Sequence, residues 1–371
     1  MAQRIGVGII GVTPAENPAS AGWANAAHIP ALRALPDYRI SAVCSRTRAS
    51  AEATARAFGI PRVFDDPREL AACPDVDVVA VTVRVPGHLP LVEAALAAGK
   101  RVYCEWPLGN GLAEAERMAA LARERNLHCA VGVQARVAPA VRHERDLIAQ
   151  GYVGEVLSTS LIGSGMNWGP GMIRRNLYTL DKANGATLLS IPAGHALDAL
   201  CHCLGAFAEV SATSALRRRT IRLPGEAEEH AATAEDQWAI TGVLASGAVV
   251  SVHYRGGFVR GSNLVWEING TEGDLRLTSD SGHLQILQPR LQGAHGSAML
   301  ADLAVPASCR LVDGLGDPAL NVAQMYALYA GDIRKGTREC PGFDDAVATH
   351  RLLVAIEEAA KTGQRQRVPG G

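Results

Sequence analysis

The sequence predicts a two-domain protein: an α/β domain with a parallel doubly wound sheet over residues 1–130, then an α+β domain with a mainly antiparallel sheet over 131–371. Three observations carry this. A chain of 371 residues is longer than one ordinary hydrophobic core supports. Strands and helices alternate through the first third, and the strands there are almost continuously apolar, as in a parallel sheet covered on both faces. Beyond residue 130 the composition shifts, and partly alternating strands joined by tight turns take over.

Residues 4–10 (Arg-Ile-Gly-Val-Gly-Ile-Ile) form the first strand and end at Gly11, and Trp23–Leu35 reads as the first helix. Tyr38–Cys44 is a second apolar strand and the Ala-rich Arg48–Phe58 a second helix. Val76–Val83 (Val-Asp-Val-Val-Ala-Val-Thr-Val) is too apolar to face water and reads as a central strand. Leu89–Ala98 returns as a helix stopped by Gly99. Arg101–Cys104 and His128–Val133 add strands, with the helix Leu112–Arg125 between them.

After Ala140 a helix runs to about Gln150. Val156–Ile162, Trp238–Leu244, Ala248–Tyr254 and Leu264–Ile268 read as strands, the second and third joined at Ala245-Ser246-Gly247. Arg217–Glu235 is charged and irregular, an exposed connection, and Gly282–Asp313 is loop-rich. Asn321–Lys335 and Phe343–Thr362 read as closing helices.

Charged residues at 20% and apolar ones at 48% exclude wholesale disorder. A formal net charge of −1 offers nucleic acid no broad attraction, so no such partner is expected. The eight cysteines are scattered, and Cys201-His202-Cys203 lacks the Cys-x-x-Cys spacing of structural zinc sites. Scattered thiols fit a reducing cytoplasm. No basic segment precedes the first strand and no run approaches the roughly 20 apolar residues of a membrane span. A cytoplasmic protein without a membrane partner is expected. His28 and His88 have no second ligand at helical spacing, so no metal is expected either.

Gly6-Val7-Gly8-Ile9-Ile10-Gly11 matches Gly-x-Gly-x-x-Gly, but it lies inside the strand, where it cannot cradle phosphates. The workable register opens a loop at Gly11, runs through Val12, Thr13 and Pro14–Ala21 to Gly22, and leaves the helix from Trp23 to offer its first amides to a pyrophosphate. At the end of the second strand, Cys44-Ser45-Arg46-Thr47-Arg48 carries no carboxylate for a free ribose 2′-hydroxyl. Ser45, Arg46 and Arg48 suit a 2′-phosphate, which favours NADP as cofactor over NAD. The bland alternative is solvated charge at the start of a surface helix.

Glu105-Trp106-Pro107-Leu108 resembles the Glu-Lys-Pro motif of the glucose–fructose oxidoreductase, inositol dehydrogenase and rhizopine-catabolism (Gfo/Idh/MocA) family. Pro86-Gly87-His88, Ala98-Gly99-Lys100-Arg101-Val102, Gly270-Thr271-Glu272-Gly273-Asp274-Leu275 and the helix opening Phe343-Asp344-Asp345-Ala346 spread the resemblance over most of the chain. It implies an N-terminal Rossmann domain whose cofactor contacts include His88, Glu105 and Trp106. It also implies a C-terminal domain with a large open sheet for substrate binding and oligomerisation, and a substrate cleft between the two.

In that family the motif lysine assists catalysis beside the nicotinamide, and an Asp four residues before a His completes the proton-transfer set. Here Trp106 replaces the lysine. In Leu189-Ser190-Ile191-Pro192-Ala193-Gly194-His195-Ala196-Leu197-Asp198 the His aligns at His195, and Ile191 stands in place of the Asp. The Glu-Trp variant, Gly22-Trp23-Ala24, His28-Ile29-Pro30-Ala31, Gln134-Ala135-Arg136 and Gln150-Gly151-Tyr152-Val153-Gly154 look like the branch holding the fungal galactose-regulon repressor. That branch member is a dinucleotide-binding regulator.

An imidazole near its ordinary pKa of about 6.5 can donate a proton to a carbonyl or imine, which makes His195 the leading catalytic residue. Tyr178 is a second donor, with Lys182 to lower its pKa; ordinary loop solvation is the other reading of that segment. Gln134, Arg136, Asn167 and Trp168 offer donors and a stacking face for a hydroxylated small-molecule substrate, in line with the sugar and polyol preference the resemblance implies. Arg136 has the alternative of holding a structural carboxylate. The function expected is an NADP(H)-dependent oxidoreductase, a homodimer or homotetramer, acting on a sugar-like or other small carbonyl, alcohol or imine. The alternative is a catalytically silent dinucleotide-binding regulator with a protein partner.

Overall fold

The computed structural model describes residues 3–13 and 22–369. The chain divides into two compact units, one holding the residues through Gln134 together with Leu311–Val347, the other Ala135–Arg310 and the residues from Ala348 onward. Where the sequence reading set one boundary, 1–130 against 131–371, the first unit also recruits a segment from near the end of the chain, which no local composition shift announces.

In unit one, six strands form a parallel sheet: β1 (Ile5–Ile10), β2 (Tyr38–Cys44), β3 (Arg62–Phe64), β4 (Val78–Val81), β5 (Arg101–Glu105) and β6 (Ala130–Gly132), in the order β3-β2-β1-β4-β5-β6. All six residues of β1 are buried, as are the four of β4, because both faces of a doubly wound sheet carry helices. The order reverses between β1 and β4, the topological switch point where such folds bind ligands at the strand carboxyl ends. The connecting helices are α1 (Ile29–Ala34), preceded by a π-helical turn at Ala24–His28, then α2 (Arg48–Phe58), α3 (Pro67–Ala72), α4 (His88–Ala97) and α5 (Leu112–Glu124). Thr47 opens α2 by accepting the Ser50 N–H, and Gly59 closes it in the left-handed region at φ 62°. β3 and α3 are too short for periodicity to show, which is why sequence reading passed over them.

Unit two opens with α6 (Pro139–Ala149) and contains α7 (Gly194–Leu204), which continues a π-helical turn at Leu189–Ala193. Its sheet has nine strands: β7 (Val156–Gly165), β8 (Phe207–Ala215), β11 (Gln237–Leu244), β12 (Val249–Gly256), β13 (Leu264–Gly270), β14 (Gly273–Ser279), β15 (Arg290–His295), β16 (Ala301–Asp302) and β17 (Gln366–Arg367). The order is β16-β15-β14-β13-β7-β12-β11-β8-β17, antiparallel except for the β7–β12 pair. β9 (Thr220–Arg222) and β10 (Glu229–Ala231) form a separate antiparallel pair. Burial alternates along the central strands: Trp238, Ile240, Val250, Val252, Tyr254, Trp266 and Ile268 are buried, whereas Ala239, Thr241, Val249, Ser251 and His253 are exposed.

Two sequence expectations change here. The loop-rich stretch Gly282–Asp313 contributes β15 and β16, and the irregular Arg217–Glu235 contains β9 and β10. These segments carry weak strand propensity of their own; pairing with β14 makes β15 a strand.

The chain then returns to unit one with α8 (Ala319–Lys335), and α9 (Phe343–Thr362) begins there and runs on into unit two. α8 is tied in by buried polar contacts. The Tyr38 hydroxyl donates to the Tyr326 carbonyl at 2.8 Å and the Tyr329 hydroxyl to the His128 carbonyl at 2.9 Å. Asp332 receives Thr337 Oγ1 at 2.6 Å, the Glu339 and Cys340 amides at 2.9 and 2.8 Å, and His128 Nε2 at 3.0 Å. Among the described residues no helix is long and apolar enough to cross a membrane.

Candidate functional site

The carboxyl edge of the parallel sheet begins at Gly11, which ends β1 with φ +110°. A Cβ there would lie 2.9 Å from Thr82 Oγ1 and 3.0 Å from the Thr82 carbonyl carbon, so both the turn and the close approach to the end of β4 require glycine. Val12 is fully buried and its carbonyl accepts Ser45 Oγ at 3.0 Å. Thr13 is exposed and its carbonyl accepts Asn25 Nδ2 at 2.7 Å. The Pro14–Ala21 part of the expected phosphate loop lies outside the described residues. Trp23 Nε1 is a buried donor with no partner among the described residues. A glycine turn at the switch point, a helical segment after it and an unmatched buried donor together fit a dinucleotide.

The three residues expected at a 2′-phosphate have different fates. Ser45 is committed to the Val12 carbonyl. Arg48 binds Glu52 Oε1 through Nε at 3.1 Å and the Val63 carbonyl through Nη1 at 3.0 Å. Arg46 is exposed and has no hydrogen bond or ion pair among the described residues. Burial, reinforced by Asp66, Asp65 and Glu69, pushes the Cys44 thiol up to about 11, so it is no nucleophile.

Glu105 closes β5 and is held from two sides. His28 Nε2 lies 2.8 Å from its Oε1, and Gln134 Nε2 donates to Oε1 and Oε2 at 2.9 and 3.0 Å. The second nitrogen of His28 meets the Tyr326 hydroxyl at 2.9 Å. Gly132 makes room, since a Cβ there would lie 2.7 Å from Glu105 Oε1 and 2.8 Å from Gln134 Nε2. Gln134, expected to contact substrate, is wholly buried and its amide serves Glu105.

His88, expected as a cofactor contact, is buried, with Nδ1 at 3.0 and 3.1 Å from the Pro107 and Leu108 carbonyls and Nε2 at 3.0 Å from that of Val83. Burial lowers its pKa against those three carbonyls, which favour the protonated ring. Its work is to strap the turn after β4 to the segment after β5. Trp106, at the start of that segment, is 5% exposed.

In unit two, His195 lies buried on α7, its Nδ1 without a hydrogen-bond partner among the described residues. Burial, with a further push from His283, drives its pKa down to about 3, so the ring expected near 6.5 is neutral throughout the physiological range. His283 is held at about 4 by burial. Its Nε2 accepts the Met166 amide at 3.1 Å, and its Nδ1 lies 3.2 Å from the Gln285 side-chain amide nitrogen.

Arg136 takes its structural alternative. Nε donates to Asp198 Oδ2 at 2.8 Å and Nη2 to Oδ1, and Thr349 Oγ1 meets the same Oδ1 at 3.1 Å. Trp168, expected as a stacking face for substrate, is 1% exposed with Nε1 on the Thr179 carbonyl at 2.9 Å. Asn167 is half-buried, its Oδ1 accepting Asn176 Nδ2 at 2.9 Å. Tyr178 is also half-buried. The Lys182 ammonium lies 3.8 Å from Glu235. Glu226, Glu228 and His230 come together, but Glu226 already pairs with Arg174.

Residues 5–133 match the family model described as the oxidoreductase family with an NAD-binding Rossmann fold, and residues 139–279 match that of the Gal80p C-terminal domain. Over 375 residues the chain is 30% identical to the Aspergillus oryzae protein named dehydrogenase aclE, covering 98% of each. The chain belongs to the Gfo/Idh/MocA oxidoreductase family.

This Gfo/Idh/MocA member is also 28% identical over 303 residues to the galactose/lactose metabolism regulatory protein GAL80 of Kluyveromyces lactis, covering 76% of this chain and 65% of that one. In fold it matches a super-repressor mutant of Gal80p from Saccharomyces cerevisiae with TM-score 0.87 at 23% identity, covering 99% of this chain and 98% of that one. Trp106, which the sequence reading sets at the family's lysine position, is buried. Of the residues that complete the surroundings of Glu105, the sequence shows His28 only as a rejected metal ligand and as part of the His28-Ile29-Pro30-Ala31 string, and nothing local marks Tyr326. Asp198 ends the His195 segment of the sequence, and its partner Arg136 lies 62 positions away.

Proposed function

We propose that this chain is an NADP(H)-dependent oxidoreductase that transfers a hydride to or from a sugar-like or other small carbonyl, alcohol or imine. The observation that carries the reading is Arg46, an exposed guanidinium at the carboxyl end of β2 with no partner among the described residues and no carboxylate in its own segment 44–48. A free guanidinium there matches a 2′-phosphate, with which it makes charge-assisted bonds. NAD is the cofactor if Arg46 proves idle.

In this reading Gly11, Val12, Thr13 and Trp23 border the phosphates, and Glu105 and Trp106 the nicotinamide half. When bound, NADP(H) supplies or accepts the hydride. The chain's own part is to hold the substrate and to move one proton to or from its oxygen or imine nitrogen. His195 contributes as a neutral imidazole, a hydrogen-bond donor or acceptor rather than an imidazolium acid. Tyr178, with Lys182 nearby in sequence, is the alternative proton donor, and Asn167 a substrate contact. Eight free thiols agree with a cytoplasmic setting.

A second reading, a cofactor-sensing regulator with a protein partner, is favoured by Trp106 in place of the family lysine, Ile191 in place of the family Asp, and the similarity to GAL80. Incubating the protein and NADP(H) with sugars, polyols, aldehydes and cyclic imines, followed at the nicotinamide absorbance, separates the two. Turnover of any of them supports the oxidoreductase. Tight cofactor binding with no turnover across the panel supports the regulator.

A further inference from the structure

Glu105 is the acceptor end of a buried hydrogen-bond chain whose direction follows from counting protons. A carboxylate only accepts, so His28 Nε2, 2.8 Å away, carries the hydrogen. In a neutral ring Nδ1 is then an acceptor, and the Tyr326 hydroxyl 2.9 Å from it must donate. Among the described residues no other partner holds the Tyr326 hydroxyl, and burial raises its pKa, which keeps the proton on. His28 and Tyr326 are both wholly buried, so the bond between them is shielded from bulk water.

The chain is clamped by aromatic packing. Tyr103 stacks on Tyr326 with centroids 4.6 Å apart and meets the His28 ring edge-on at 5.3 Å. Tyr38 packs against Tyr326 at 5.3 Å and binds its carbonyl. Gln134 supplies the second donor to Glu105, in space that Gly132 leaves open. Of this set only Glu105 reaches solvent, at 12% side-chain exposure. Among the described residues its Oε2 receives a single donor, which leaves acceptor capacity at the carboxyl edge of β5.

We propose that Tyr326, His28 and Gln134 are positioning residues of the dinucleotide site: they fix Glu105 in one rotamer as an acceptor for a hydroxyl or amide N–H in the nicotinamide half of the cofactor. The inference rests on the dinucleotide reading above. It gives the segment 311–347 a task, because α8 brings Tyr326 into unit one. A fixed acceptor binds tighter than a mobile one because its rotamer entropy is lost on folding rather than on binding.

The test is NADPH and NADH affinity by calorimetry, together with the 15N shifts of His28 in histidine-labelled protein without cofactor. Wild type should show His28 protonated at Nε2. Tyr326→Phe removes one hydroxyl without changing shape; it should weaken NADPH binding roughly 5–10-fold and shift the His28 tautomer. His28→Leu should weaken binding roughly 10–100-fold, and His28→Gln, whose amide can donate to Glu105, should recover most of that loss. Wild-type affinity and an unchanged tautomer in Tyr326→Phe overturn the proposal. So does a His28→Gln protein as weak as His28→Leu, which would mean packing alone. A wild-type protein that binds neither nucleotide overturns the dinucleotide reading, and this proposal with it.

Discussion

Arg136 and Asp198 form a two-pronged ion pair inside unit two, with Asp198 1% and Arg136 11% exposed by side chain. Removing one partner of such a pair leaves the other charge buried without compensation. Arg136→Ala should therefore cost about 3–5 kcal/mol of stability, read as a lower urea midpoint. Arg136→Met with Asp198→Leu should recover much of it. A stable Arg136→Ala protein whose only defect is a raised KM would restore the substrate role expected for this residue.

Arg46 and Arg48 should separate by function. Arg46→Ala should lower NADPH affinity roughly 10–100-fold while leaving NADH affinity nearly unchanged, because a charge-assisted contact to one phosphate is lost. Arg48→Ala, whose guanidinium already serves Glu52 and the Val63 carbonyl, should stay within about threefold of wild type for both nucleotides. Calorimetry on the two variants decides it. Equal losses in both would mean that the local contacts of Arg48 do not hold it back.

Unit two should be acid-sensitive through three buried rings. His195 is pushed down to about 3, and His283 and His350 to about 4, each chiefly by burial. In the unfolded chain the same rings take protons near 6.5. Below that pH the unfolded state therefore binds more protons, so the contribution is complete above about pH 6.5 and is lost as pH falls toward 4. Each pH unit of depression is worth about 1.4 kcal/mol. Thermal melts between pH 7.5 and 4.5 should show this slope, and His350→Gln should flatten it. A slope identical in that variant would remove His350 from the account.

The pH dependence of any turnover should show no inflection near 6.5 from His195, since that ring stays neutral there. His195→Ala should still lower kcat by roughly 10²–10⁴-fold if the neutral ring is the proton route. Turnover near wild type in His195→Ala would pass the role to Tyr178.

The open face of the nine-stranded sheet should pair with a second copy. Ile162 and Val249 are 40% and 57% exposed on it, among Ser160, Ser251, Ala239 and Thr241, side chains short enough for another sheet to approach. Light scattering at micromolar concentration should give a homodimer or homotetramer, and Ile162→Glu with Val249→Glu should reduce it to the monomer. A wild-type monomer would refute the expectation.

By itself the sequence determined the parallel sheet of the first unit, the Gly11 turn and the family, because these rest on signals carried within a few residues. Near-continuous apolar strands declare a doubly covered sheet, and a glycine at a strand end declares a tight turn. Motifs such as Glu105-Trp106-Pro107 are contiguous. Strands such as β15, whose pairing rather than propensity makes them strands, stayed hidden. Only the tertiary structure decided which polar side chains are available for chemistry. Arg46 and Arg48, two positions apart and alike in kind, differ because Glu52 and Val63 occupy one of them. Gln134, Arg136, Trp168 and His88 resembled ligand contacts in the sequence, yet each is occupied by a protein group. Tyr326 reaches His28 across 298 residues of chain. A buried donor or acceptor must be satisfied by whatever folding places beside it, and that neighbour is set by packing over the whole chain rather than by adjacent letters.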